Sequence, residues 1–230
     1  MEAISQFNGF GFDDTPEGRR DAYGDLIMHG ERENTRKANL TKTSAASSCG
    51  LVIRVLWKLL GVDDPRLEPD YKQGSVIPDL LAIAKESGAL HQGGSDFKTN
   101  FNSVQGGPNR GDVIFINRTT TKKDKDGNDT KVFLQHIFTV IERDGNTFFS
   151  QDGGQAVPTA LKATLKLDDG TCNGIYKRKR TIDPDTLIFT PDDEKRPVAA
   201  WIDVTKLKFT KPMIVPIRGV ATGIPDPDPA

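Results

Sequence analysis

Two residues far apart in this chain could carry out covalent chemistry together: Cys49 and His136. A thiolate attacks carbonyl carbon, and an imidazole can take the thiol proton and later return it. Cys49 closes a small polar run, residues 43–49, that leads straight into Leu51-Val-Ile-Arg-Val-Leu-Trp-Lys-Leu-Leu60. Cap-forming residues followed by a helix-periodic apolar stretch place the thiol in a first helical turn. Unpaired N–H groups and the positive end of the helix dipole favour the thiolate there. Gly50 has no side chain to hinder approach to the backbone, and the N–H of Cys49 is a candidate oxyanion donor. His136 lies in an apolar, strand-like run, Phe133-Leu-Gln-His-Ile-Phe-Thr-Val-Ile141. The expectation is a thiol and an imidazole meeting in a solvent-reachable groove.

The imidazole needs a third group to orient it. The hairpin after His136 brings back Ser150-Gln151-Asp152. A two-residue loop would put Gln151 on the imidazole's face of the sheet, whereas a three-residue loop with a bulge would set Asp152 directly opposite. Asp152 is the better orienter because a carboxylate also stabilises an imidazolium. Gln151 stays as the alternative.

These side chains need a frame. Leu51, Val52, Val55, Leu56, Leu59 and Leu60 recur at helical spacing over about 48–60, and Gly61 is a natural stop. A second helix is expected over about 76–87, with Ser75 as cap, Pro78 in the first turn and Gly88 at the end. A short helix is expected at 16–30, after a loose leading segment, and residues 31–48 read as loop. From about 111 the period becomes strand-like: a short buried strand at 112–116, a charged loop at 117–130, then strands at 131–142 and 147–151 joined through Asp144-Gly145. Further strands are expected at 174–180, 186–189 and 200–204. Helices followed by an antiparallel sheet make an α+β fold. The expected organisation is one catalytic domain over 1–220 and a Pro-rich tail over 221–230.

Composition narrows the function. Among 230 residues, 31 Lys and Arg balance 32 Asp and Glu, so net charge argues for neither nucleic-acid nor membrane binding. No apolar run approaches the roughly 18 to 20 residues of a membrane span. Two cysteines make no disulfide framework. The N-terminus shows neither a basic n-region nor an apolar h-region. The expected origin is a reducing cytoplasm, with a dedicated export machine if the protein acts elsewhere. No metal or cofactor is called for.

Ser48-Cys49-Gly50 at a helix start, Arg110-Gly-Asp-Val-Ile-Phe-Ile116, Gln135-His-Ile-Phe-Thr-Val-Ile141 and Ser150-Gln-Asp-Gly-Gly-Gln155 together resemble the NlpC-type and CHAP-type cell-wall cysteine peptidases. The resemblance covers roughly 44–155 and rests on the order and spacing of short motifs. It implies a papain-like core and hydrolysis of amide bonds in peptidoglycan stem peptides. Cys49 would be the nucleophile, His136 the base and Asp152 or Gln151 the orienting residue. Members made without a signal peptide include amidase effectors that type VI secretion injects into rival bacteria. An effector of that kind would act in a target-cell periplasm and would have a cognate immunity protein as partner. The chain departs from the pattern in three ways. Ser48 stands where many members have Asp, no Gln lies within 43–48, and the 117–130 insert is long. Two rival readings keep the same residues: a papain-like deamidase or transglutaminase-type toxin acting on protein glutamines, and a non-catalytic domain that binds wall fragments or a partner.

Other motifs have simpler explanations. Asp124-Lys-Asp126-Gly127-Asn128-Asp129 fails the EF-hand ligand pattern and reads as a solvated turn. Lys177-Arg178-Lys179-Arg180 reads as a solvated or edge strand. His29, His91 and Cys172 read as ordinary surface or turn residues.

Overall fold

A computed structural model describes residues 48–67, 76–156, 173–192 and 195–210. The expected helix at 16–30, the 31–47 loop, the 221–230 tail, Ser75, His29 and Cys172 lie outside them.

Helix α1 (Ser48–Leu59) and helix α2 (Val76–Glu86) form where the apolar periodicity placed them. Both stop for the same reason. Gly61 and Gly88 take positive φ, 85° and 69°. The Gly61 N–H donates to the Lys58 carbonyl and the Val62 N–H to that of Trp57; Gly88 and Ala89 do the same toward Lys85 and Ala84. This is the Schellman pattern, which satisfies the last carbonyls and turns the next apolar residue back onto the helix. Val62 and Ala89 are buried accordingly. A short helix, α3 (Phe97–Asn102), follows.

Among the described residues, seven antiparallel strands make one sheet. In chain order they are β1 (Leu90–His91), β2 (Val113–Lys123), β3 (Asp129–Asp144), β4 (Thr147–Ala156), β5 (Asn173–Ile182), β6 (Phe189–Thr190) and β7 (Val198–Ile202). Their spatial order is β1-β7-β2-β3-β4-β5-β6. The α+β expectation is met. A flat sheet would hold β6 and β7 five strand spacings apart, about 24 Å. Instead Ile188 bridges Pro197, and Phe189 shares a cluster with Val198 and Trp201. The sheet therefore curls into a half-barrel. Bulges on β3, β4 and β7 supply the bending.

The two faces of the sheet hold separate cores. On the outer face, Val113, Phe115, Ile137, Ala200 and Ile202 pack with Cys49, Ile53 and Trp57 of α1 and with α2. On the inner face, Ile114, Ile116, Phe138, Val140 and Phe148 pack with Phe101, Phe189 and Trp201.

The charged 117–130 stretch is a correction to the sequence reading. It is not a loop: β2 and β3 stay paired out to Lys123↔Asp129, forming a two-stranded ribbon. Its Thr-rich arms suit a strand exposed on both faces, so polarity masked the signal. At the tip, Asp124 Oδ1 accepts the N–H groups of Asp126 and Asn128, which makes the acidic cluster a turn. His91 is also corrected. It belongs to β1 and stacks on Trp201, with ring centroids 4.3 Å apart.

Candidate active site

The hairpin that carries His136 away and brings Asp152 back combines two features that the sequence reading treated as alternatives. Asp144 pairs with Thr147 across a two-residue loop, in which Gly145 takes φ 56°. Gly in that first loop position is what a type II′ turn requires. The register then slips between Val140 and Glu142, so Val140 faces Ser150 and Thr139 faces Gln151. One extra residue exchanges the faces of everything beyond it. Asp152 thereby joins the face of His136 and Phe138, while Gln151 joins Thr139 and Ile137 under α1. Asp152 does not sit directly opposite His136; it reaches the ring along the diagonal.

The β3–β4 ladder ends at Thr139↔Gln151. The N–H of Val140 points toward β2, where it donates to the Asp112 carbonyl. Antiparallel alternation therefore turns the Ile137 N–H toward β4, past the end of the pairing. Helix α1 packs across β3 and β4 at this point. The Cys49 sulfur receives that N–H, the N–H of Gly50 and a hydrogen bond from His136. Strand separation thus creates the gap in which the helix-borne thiol meets an imidazole from the other face.

His136 Nε2 donates to Asp152 Oδ2 at 2.6 Å, which leaves Nδ1 as the ring nitrogen for the thiol. Asp152 is fully buried and its oxygens are saturated. Oδ2 also accepts Arg180 Nη2 at 2.5 Å; Oδ1 accepts Ser150 Oγ at 2.5 Å and Arg180 Nη1 at 2.9 Å. Arg180 donates to Ser150 Oγ as well, and its guanidinium carbon lies 4.6 Å from the centre of the Phe138 ring.

Burial opposes the charged forms of Asp152, Cys49 and His136, and their partners overcome it. Burial pushes Asp152 up, yet the charges of Arg180 and His136 and their hydrogen bonds hold it well below the usual carboxylate range. Burial pushes the Cys49 thiol up, but His136 and the two N–H groups bring it below its ordinary value. Burial pushes His136 down, but Asp152 and Cys49 carry it above its ordinary value. The arrangement favours a thiolate–imidazolium pair supported by a permanent carboxylate.

The structure thus joins Cys49, His136 and Asp152. Gln151 is turned away, and its amide is buried without a hydrogen-bond partner. The space beside Gly50 is filled rather than open: a Cβ there would lie 3.1 Å from Ile77 and 3.2 Å from Val76, so this glycine lets α1 and α2 approach closely. The expected solvent-reachable groove is also corrected. Cys49 is 3% exposed because it packs among Ile53, Ile77 and Ile137.

Sequence reasoning missed Arg180, and it placed Ser150 in the polar cluster beside His136 without giving it a role. Arg180 was read as part of a solvated run, but strand alternation divides that run. Lys179 and Thr181 are exposed, whereas Arg180 and Ile182 face inward. The parity of Ile182 was the available signal. Asp112, in the Gly-Asp motif, plays a structural part. Its carboxylate accepts the N–H groups of Asn109 and Val204, tying the start of β2 to the end of β7. Among the described residues no group of His, Cys, Asp and Glu side chains is placed to hold a metal ion. No described helix is long and apolar enough to cross a membrane. No family model matches this chain, and neither a curated protein nor a solved structure matches it.

Proposed function

We propose that this protein is a cysteine-dependent amide hydrolase with a papain-like core, acting on peptidoglycan stem peptides as an antibacterial secreted effector. The observation that carries the reading is the hydrogen-bonded chain Cys49–His136–Asp152, assembled from a helix start and two strands. The peptidoglycan substrate and the effector role rest on the sequence resemblance.

In this reading the thiolate attacks the amide carbonyl carbon while His136 holds the proton. The tetrahedral intermediate collapses to a thioester as the C–N bond breaks and His136 protonates the departing amine. A water then gives its proton to His136 and attacks the thioester, releasing the acid and regenerating the thiol. Asp152 keeps Nε2 protonated, so Nδ1 is the nitrogen that exchanges protons with sulfur. The Ile137 and Gly50 N–H groups stabilise the resting thiolate.

The test is digestion of purified peptidoglycan by the wild type and by Cys49→Ala and His136→Ala proteins, with products resolved by mass. Release of stem-peptide fragments should fall by roughly 10⁴-fold or more in either variant while the circular dichroism is retained. Full activity in Cys49→Ala would remove the proposal. Intact stem peptides together with a deamidated protein glutamine would instead favour the toxin reading.

A further inference from the structure

The buried cluster holds one more charged member than a nucleophile, base and orienter need. Arg180 is 4% exposed, grips both oxygens of Asp152 and bonds the Ser150 hydroxyl that also bonds Asp152. With the thiol ionised, the cluster contains two cations, Arg180 and His136, and two anions, Asp152 and Cys49, all out of water. Without the guanidinium, two buried anions would share a single imidazolium.

We propose that Arg180 is the charge-balancing and positioning residue of the site, allowing the Asp152 carboxylate and the Cys49 sulfur to be negative together around one imidazole. This rests on the hydrolase reading only for its catalytic consequence; the protonation effect stands without a substrate. A low-dielectric site resists net charge, so losing one cation is compensated by gaining one proton. Asp152 would still accept from Ser150 and His136 and would keep its imidazolium partner. The thiolate is held by His136 and two N–H groups, and it is the group that takes up the proton. Arg180 thus acts on the nucleophile through Asp152 and His136 rather than by contact.

The other charged groups on the surrounding elements are Arg54 and Lys58 on α1, Asp79 on α2, which lies in the fields of Arg54 and Arg66, and Arg178 on β5, paired in register with Ser150. It is the Arg180 guanidinium that bonds both Asp152 oxygens. On β2 and β7 the neighbours of the thiol are apolar: Val113, Phe115 and Ala200.

The experiment follows the ultraviolet absorbance of the thiolate against pH in the full chain, with a Cys49→Ser protein subtracted to isolate this sulfur. In folded Arg180→Gln the ionisation midpoint should rise by about one pH unit or more. In Arg180→Lys, which keeps the charge, it should stay within about half a unit of the wild type. Arg180→Gln combined with Asp152→Asn removes one charge of each sign and should bring the midpoint back toward the wild type. An unchanged midpoint in Arg180→Gln overturns the proposal, because a purely structural arginine would lower the melting temperature and leave the titration in place. If Arg180→Gln does not fold, a rise of about a unit in Arg180→Lys or in the double variant overturns it equally. A shifted midpoint in a protein that leaves peptidoglycan intact would sustain this inference while removing the substrate assignment.

Discussion

Two buried aspartates in one sheet have opposite electrostatic fates. Asp152 on β4 and Asp112 at the start of β2 are 0% and 5% exposed, and both accept hydrogen bonds through both oxygens. Asp112 has only backbone N–H partners, and burial pushes it up to about 6. Asp152 has a guanidinium and an imidazole, which hold it far below the usual range despite deeper burial. At Asp112 two N–H dipoles do not offset burial, whereas at Asp152 two opposite charges with their hydrogen bonds more than offset it. The first arrangement fastens a strand, and the second can sustain an ion pair for chemistry.

The largest difference should appear in turnover. In the proposed hydrolase reading, Asp152→Asn should lower kcat for stem-peptide cleavage by roughly 10²- to 10⁴-fold, since His136 loses both its fixed tautomer and its counter-charge. Asp112→Asn should leave kcat within a few-fold. Equal losses in steady-state assays would erase the distinction.

Stability comes next. Asp152→Ala strands a buried guanidinium and should cost about 3–5 kcal/mol. Asp112→Ala strands two N–H groups and should cost about 1–3 kcal/mol. Denaturant unfolding of both variants would measure the gap, and adding Arg180→Met to Asp152→Ala should recover part of the larger loss.

The smallest effect is in the pH dependence, where the two carboxylates should have opposite signs. Asp112 binds its proton more tightly when folded than when unfolded. Its contribution therefore falls as pH rises from about 4, the ordinary carboxylate value, to about 6, and is flat above that. Asp152 has a depressed folded value. It contributes fully above about pH 4 and loses that contribution as pH falls toward its folded value. Melting curves of wild type, Asp112→Asn and Asp152→Asn between pH 3 and 7 should show each slope vanish only in its own variant.

Local sequence was sufficient for the helices because their signals are local. Apolar periodicity and a glycine able to take positive φ mark α1 and α2 to within about one residue. The 117–123 arm of the ribbon was not legible because a strand exposed on both faces has no alternation to read. Arg180 was missed because a run of four basic residues looks solvated until register shows which of them face inward.

The amino-acid sequence by itself determined the chemistry on offer: a helix-start thiol, a strand imidazole and a polar pair just past a hairpin. It left open whether Asp152 or Gln151 turns toward the ring, because one slipped residue reverses a strand's faces and nothing local forces the slip. The tertiary fold decided that, through the bulge between Val140 and Glu142. It also brought in Arg180 from β5, because charge balance in a buried cluster depends on which strands become neighbours.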